Sequence, residues 1–381
     1  MGEKSVLVAS IGGIALIAIV LWDAFETVIL PRRVTRRFRL TRLFYRSTWR
    51  AWWVLAALAP ARRREALLSF FGPLSLLALF ALWAVGLILG FGLLQWSLRS
   101  PLSVAPGSSS FAVYLYLSGT TFFTLGFGDV VPLETAGRVL AVLESGTGFG
   151  FLALVLGYLP VLYQAFSRRE VNISLLDARA GSPPTAAELL HRHREEHGQE
   201  ALRQLLHAWE RWSAELMESH LSYPVLAYFR SQHDNQSWLG ALTAILDASA
   251  LVMASQTGPL ERQARLTFAM ARHAVVDLSQ VFATSPQPSP SPRLTPEDWE
   301  RLRHTLGWTP EDTSRRHPTL DDLARLHAMY EPYVTGLASY LRLSLPPWAP
   351  PSKNKDNWQT SSWERSAKTS PVCAPPDDEH P

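Results

Sequence analysis

The sequence has a single cysteine, Cys373, and few charged residues. One cysteine excludes an intrachain disulfide framework and a metal site built from several cysteines. Charged residues make up only 18% of the 381 residues, and the net charge is +3, most of which comes from one arginine-rich stretch. This charge gives little support for nucleic-acid binding. The sequence also lacks a serine, cysteine or carboxylate constellation typical of catalysis, so we do not expect an enzyme.

Apolar residues are abundant but unevenly distributed. Hydrophobic residues reach 47% while the mean hydropathy is only +0.03, so the apolar residues must be segregated. Three runs have bilayer length: Ser5–Trp22, Phe71–Leu98 and Ala141–Phe166, the last interrupted only by Glu144. The first run is too long for the apolar core of a signal peptide, and no small-residue cleavage site follows it. We expect an all-α membrane protein in which this run is a retained helix.

The placement of arginines predicts the topology. Many arginines lie between the first and second runs, whereas the segment between the second and third runs has only Arg99 and Arg138, both at the membrane edges. By the positive-inside rule, the loop at 31–70 and the C-terminus are cytoplasmic, and the segment around 100–135 is external. We therefore expect a multi-pass protein of the cell membrane.

The arginine-rich loop allows two interpretations. Four arginines recur at every third residue, which resembles the charge ladder of a voltage sensor: Arg33, Arg36, Arg39 and Arg42. A voltage sensor needs these charges within a transmembrane helix, and the intervening residues are too polar to span. We favour a basic juxtamembrane segment that contacts anionic lipid. The residues that follow predict a helix in the membrane interface: Trp49, Trp52, Trp53 and Leu55.

The external segment contains a short apolar stretch followed by a glycine-containing strand. Residues 111–123 can form about three helical turns, too few to cross a bilayer, yet they are too apolar for an ordinary external loop. A re-entrant segment fits both properties. Non-helical backbone is tolerated at membrane depth only where protein buries it or water lines it. We therefore predict that the stretch from Thr124 to Gly128 lines water.

The residue spacing in this strand suits a dehydrated cation. An extended strand can offer successive backbone carbonyls to the ion if its backbone alternates between left- and right-handed angles, which Gly126 and Gly128 permit. Thr124 adds a hydroxyl, while Leu125 and Phe127 point away from the ions. The C-terminal, negative end of the preceding helix dipole also favours a cation. One strand supplies only part of a ring, so four copies must meet around an axis.

The motif Thr124–Asp129 reads Thr-Leu-Gly-Phe-Gly-Asp and resembles the selectivity filter of potassium channels with one pore loop per subunit. Its Leu-Gly-Phe version is similar to second-pore segments of tandem-pore channels, and the resemblance covers residues 71–166. It implies a homotetramer that conducts K⁺ passively, with Thr124, Leu125, Gly126, Phe127, Gly128 and Asp129 as the filter, and with no organic cofactor and no other metal.

Three residues depart from the usual family pattern. Phe127 lacks the tyrosine hydroxyl of many members, Phe123 stands where threonine is frequent, and Thr120 stands where some members carry a glutamate. These departures bear on filter stability. Two alternatives therefore remain: a weakly selective cation channel, or a membrane sensor or scaffold that conducts nothing.

The third apolar run carries Glu144 and Gly148, which we expect to act in gating or in the pore cavity. Gly148 matches a glycine hinge of the resembling channels, and a glycine at this depth also allows close helix packing. Glu144 could face the aqueous cavity and concentrate cations. It could instead face the pore helix and form a hydrogen bond near Thr120 or Thr121.

The predicted domain boundaries are residues 1–31 for an N-terminal transmembrane helix, 32–70 for the basic segment, 71–166 for the pore, 167–345 for a helical cytoplasmic domain and 346–381 for a disordered tail. Within the helical domain, residues 285–296 form a Pro-rich connector. The strands and glycine-rich turn of a dinucleotide-binding module are lacking. A metal site at His191, His193 and His197 is less favoured than a solvated helix face. We expect a domain that acts in gating or assembly and that is controlled by an unknown cytoplasmic regulator.

Overall fold

The computed structural model describes residues 3–30, 39–103, 110–195, 198–232, 235–289, 293–308 and 318–350. Within these ranges the regular structure is helical, and the only β-type pairing is one isolated bridge between Leu102 and Pro132. The prediction of an all-α membrane protein is confirmed. Three predicted features lie outside the described residues: Arg33 and Arg36 of the arginine ladder, His197, and the tail from residue 351 onward.

Twelve α-helices are present in the described ranges, and they have the following bounds: α1 Glu3–Ala24, α2 Leu40–Ala57, α3 Ala61–Ser97, α4 Phe111–Phe122, α5 Thr135–Ala180, α6 Ala186–Arg192, α7 Gly198–Ser222, α8 Trp238–Ser255, α9 Pro259–Val281, α10 Pro296–Leu306, α11 Leu320–His327 and α12 Glu331–Leu341. A π-helical turn, Phe25–Ile29, continues α1, and a 3₁₀ turn, Pro224–Tyr228, lies between α7 and α8.

The chain divides into two compact units. The first comprises Met1–Phe166 together with Ser222–Phe229, and the second comprises Ser167–Leu221 together with Arg230–Pro381.

Four helices of the described chain are long and apolar enough to cross a membrane: Lys4–Ile29, Arg63–Ser97, Thr135–Ala180 and Trp238–Ser255. The first three correspond to the three apolar runs of the sequence. The fourth is α8. Of its residues, 94% are buried within the protein, whereas the share of buried residues in the apolar stretches of the other three helices is 17%, 50% and 11%. Because α8 is enclosed by protein, it forms the core of the second unit and is not exposed to lipid.

The first unit is built on close packing between α1 and α3. A Cβ atom added at Gly13 would lie 2.8 Å from the carbonyl oxygen of Gly90, so small residues allow these two helices to approach. At the other end of α1, the buried carboxylate of Asp23 accepts hydrogen bonds from the backbone N–H of Thr41 (3.2 Å) and from the Trp83 indole (3.0 Å). These donors satisfy a carboxylate within an apolar helix.

Helix α2 does form after the arginine-rich loop, but one of its tryptophans points inward. Trp49 is buried, and its ring centroid lies 4.8 Å from that of Phe71 in α3. The Trp52 indole donates to the carbonyl oxygen of Leu67 at 3.0 Å. Leu55 is 62% exposed, so it lies on the outer face of the helix. Because Trp49 packs on Phe71, the tryptophans do not form a uniform lipid-facing belt.

In the second unit, helices surround α8, and hydrogen bonds hold two irregular segments in place. Arg293, within the Pro-rich connector, donates to Asp247 of α8 at 2.8 Å and to Glu331 of α12 at 2.8 Å. Farther along, Trp348 is fully buried, and its carbonyl oxygen accepts from the N–H of Ala187 at 3.0 Å. These contacts hold part of the connector and residues 346–350 in defined positions.

Candidate pore site

The predicted pore helix is α4, and two of its side chains donate hydrogen bonds to backbone carbonyl oxygens of α3 and of the residues just after it. The Tyr114 hydroxyl donates to the carbonyl oxygen of Ser100 at 3.0 Å, which ties α4 to the end of α3. The Ser118 hydroxyl donates to the carbonyl oxygen of Ile88, within α3, at 2.7 Å. Helix α4 spans Phe111–Phe122, so it ends just before the predicted filter.

The filter strand has an alternating backbone. Residues Thr124, Gly126 and Gly128 have φ values of 55°, 58° and 77°, in the left-handed region, whereas Leu125 and Phe127 do not. The strand leaves α4 directly, since the N–H of Leu125 donates to the carbonyl oxygen of Thr120 at 2.8 Å. All the residues Thr124–Asp129 are exposed in a single chain. This geometry can turn successive carbonyl oxygens toward one side of the strand.

The outer end of the strand is attached to the pore helix through a pair that the sequence did not reveal. The Tyr116 hydroxyl donates to Oδ2 of Asp129 at 2.8 Å. Phe127 has no hydroxyl of its own, and its side chain is 68% exposed. The Tyr116–Asp129 hydrogen bond therefore connects filter and pore helix without a tyrosine in the filter.

The region behind the filter is closed by the inner helix, α5. A Cβ atom added at Gly148 would lie 1.9 Å from the carbonyl oxygen of Phe122, whereas one added at Gly146 or Gly150 would meet nothing within 4 Å. Helix α5 continues unbroken through Gly148, so close packing explains this glycine in the structure. Pro160 lies farther along the same helix, and because proline has no backbone N–H, one helical hydrogen-bond donor is missing there.

Glu144 faces the pore helix. Its carboxyl group is fully buried, and Oε1 is hydrogen-bonded to the Ser118 hydroxyl. Thr120 is not its partner, because the Thr120 hydroxyl donates to the carbonyl oxygen of Leu117 at 3.0 Å. Of the two orientations open from the sequence, the structure shows the one toward the predicted pore helix, with Ser118 as the contact.

A segment that is distant in sequence packs against the inner helix. The segment Ser222–Phe229 belongs to the first unit, although α7 and α8 on either side of it belong largely to the second. The ring centroids of Tyr223 and Tyr158 lie 5.5 Å apart, and those of Phe229 and Phe166 lie 5.7 Å apart. Tyr228 is buried against aromatic rings of α2 and α3. Sequence reasoning missed this segment, because its residues show no helical or strand periodicity.

A membrane unit with a half-length pore helix, a glycine strand and a long inner helix defines a pore-type fold. In agreement, residues 78–164 match the family model described as "Ion channel". This match, over less than a quarter of the chain, supports the expectation of an ion channel at that coarse level. Neither the curated proteins nor the solved structures include a match to this chain.

Proposed function

We propose that this protein is a potassium-selective channel in which four copies of the chain form one pore in the cell membrane. The observation that carries the proposal is the alternation of left-handed φ values at Thr124, Gly126 and Gly128. This alternation lets consecutive carbonyl oxygens replace the water around an ion. K⁺ is thus the transported ion, and it needs no organic cofactor.

The need for several copies follows from the exposure of the site in one chain. A single strand cannot encircle an ion, and the residues Thr124–Asp129 are all exposed in one chain. The inner helix also leaves large apolar side chains exposed, including Val142 (72%), Phe149 (68%) and Leu156 (63%). These side chains suit contacts with neighbouring copies, with pore water or with lipid.

The inner helix and the second unit control conduction in this proposal. The segment Ser222–Phe229 contacts α5 through Tyr223 and Phe229, close to Pro160. Because its flanking helices lie in the second unit, a change in that unit can displace the segment and thereby bend the inner helix. A cytoplasmic regulator would act by this route.

The test replaces Gly126 with alanine. We expect Gly126→Ala to abolish K⁺-selective flux in proteoliposomes, because alanine is strained at a φ of 58°. Gly119→Ala is a matched control, since Gly119 lies within α4 and an added Cβ would meet nothing within 4 Å. The proposal fails if Gly126→Ala keeps the selectivity of the unaltered protein.

A weakly selective cation channel is the second candidate, favoured by the absence of a hydroxyl on Phe127. Equal K⁺ and Na⁺ flux would support it. A non-conducting sensor would instead be indicated by a monomer or dimer in detergent, because such assemblies cannot close the ring.

A further inference from the structure

The hydrogen bonds around Ser118 form a buried chain across three helices. The Ser118 hydroxyl of α4 lies 2.7 Å from the carbonyl oxygen of Ile88 in α3, and it is also hydrogen-bonded to Oε1 of Glu144 in α5. Ser118 lies in α4, the helix that ends just before the proposed filter strand. Ser118 and Glu144 are both fully buried.

The chemistry of the hydroxyl decides the direction of both bonds. A serine hydroxyl has one proton, and a carbonyl oxygen can only accept. If Ser118 donates to Ile88, its oxygen must accept from Glu144, which requires a proton on the carboxyl group. If Ser118 donated to Glu144 instead, two oxygen lone pairs would face each other 2.7 Å apart at Ile88.

Within the described part of the chain, no charged group is bonded to Glu144 to balance a carboxylate. Oε2 is buried and has no hydrogen-bond partner among the described residues. Helix α4 contains no charged residue, and those of α3 lie at its N-terminal end, about six turns from Ile88. On α5 itself, Arg138 donates to the carbonyl oxygen of Pro132. An unpaired carboxylate is strongly disfavoured in such a site.

We propose that Glu144 is a neutral carboxylic acid and a positioning residue of the filter, donating its proton to Ser118, which donates in turn to Ile88. This chain fixes the pore helix between the outer and inner helices. The filter starts from the end of that helix, so a displaced α4 would displace the carbonyl oxygens of the filter. The effect on selectivity rests on the proposed function, whereas the protonation state does not.

Infrared spectroscopy of the full-length protein in proteoliposomes tests the protonation directly. We expect the C=O stretching band of a protonated carboxyl group at neutral pH, and we expect Glu144→Gln to remove it. Glu134→Gln is the matched control, because Glu134 is exposed, and it should leave the band unchanged. An identical band in the unaltered protein and in Glu144→Gln would overturn the proposal.

Flux measurements test the positioning role. Glu144→Ala and Ser118→Ala should each lower the K⁺/Na⁺ flux ratio about tenfold, a factor that one lost buried hydrogen bond can produce. Glu144→Gln should recover most of this loss, since an amide N–H can also donate. We expect alkaline pH to impair selectivity reversibly in the unaltered protein but not in Glu144→Gln.

Two outcomes would contradict the neutral acid: a Glu144→Gln variant as impaired as Glu144→Ala, or a loss of selectivity on acidification instead of alkalinisation. If the unaltered protein conducts without selectivity, the proposed function fails, while the infrared band still decides the protonation of Glu144.

Discussion

Gly148 of the inner helix lies against the carbonyl oxygen of Phe122, the last residue of the pore helix, with room for no side chain between them. This contact joins the element that precedes the proposed filter strand to the helix proposed to line the pore. It gives Gly148 a packing role at a position where the resemblance to potassium channels implied a hinge.

Replacing Gly148 with alanine should therefore destabilise the protein. The added Cβ would meet backbone, which cannot rotate away, and overpacking of this kind costs about 1–3 kcal/mol. Thermal unfolding of the purified full-length protein in detergent measures the effect. Gly146→Ala is the control, because a Cβ there meets nothing within 4 Å. Equal stability of the two variants would contradict the packing role.

The segment Ser222–Phe229 should influence the rate of conduction and not its selectivity. Phe229 packs on Phe166 of the inner helix and on Gly72 of α3, far along the chain from the filter strand. We expect Phe229→Ala to change the K⁺ flux rate several-fold while the K⁺/Na⁺ flux ratio stays constant. The two quantities are measured in the same proteoliposomes. A fall in selectivity, or no change in either quantity, would argue against this role.

Acidification should destabilise the second unit through His220. Burial lowers the pKa of His220 well below its ordinary value, and the nearby positive charge of Arg169 lowers it further. Nδ1 of the neutral ring donates to the carbonyl oxygen of Leu216 at 2.9 Å, and Nε2 faces the Arg169 guanidinium at 3.3 Å. Protonation would therefore place two positive groups in contact.

The sign of the effect follows from this lowered pKa. The unfolded chain binds a proton at His220 near the ordinary pKa of about 6.5, but the folded protein does not, so stability is complete above that pH and falls below it. At pH 5 the loss should reach about 2 kcal/mol. Urea unfolding followed by tryptophan fluorescence should show a smaller loss in His220→Gln. The exposed His207 provides the control variant His207→Gln, which should keep the original pH dependence.

Arg293 should be essential for the stability of the second unit. It forms ion pairs with Asp247, whose side chain is 0% exposed, and with Glu331, whose side chain is 8% exposed. Burial alone would raise the pKa of Glu331, but hydrogen bonds from His327 and Arg293 outweigh it and bring the pKa to about 2. Glu331 is thus charged, and both carboxylates accept hydrogen bonds from the guanidinium.

Arg293→Met should lower the free energy of unfolding by about 3–5 kcal/mol, because it leaves two buried carboxylates without their guanidinium partner. The matched control is Arg265→Met, which removes an ion pair to Glu261 from a side chain that is 62% exposed and should cost less than about 1 kcal/mol. Equal effects of the two substitutions in urea unfolding would contradict the assigned role.

The local features of this protein could be predicted from its sequence, whereas the contacts between distant segments could not. The alternating backbone at Gly126 and Gly128 depends only on adjacent residues. The three apolar runs likewise predicted helices, although α3 and α5 extend well beyond them, because polar helical turns continue past the apolar residues.

The contacts that sequence reasoning missed join residues far apart in the chain. Glu144 bonds to Ser118, 26 residues away, where the sequence suggested Thr120 or Thr121, and the ion pair between Arg293 and Asp247, 46 residues apart, was not predicted at all. Periodicity carries no information on such pairs. The Pro-rich composition around Arg293 predicted only a connector. The connector is anchored because Arg293 forms ion pairs with buried carboxylates, which the composition does not reveal.

The most direct test of the central claim is ion flux in proteoliposomes that hold the purified, unaltered protein, with a K⁺ gradient and Na⁺ as the competitor. We predict flux of K⁺ without flux of Na⁺, because four copies of the proposed filter strand would together offer a ring of carbonyl oxygens to a dehydrated K⁺ ion. Equal flux of both ions would contradict a potassium-selective filter at Thr124–Asp129.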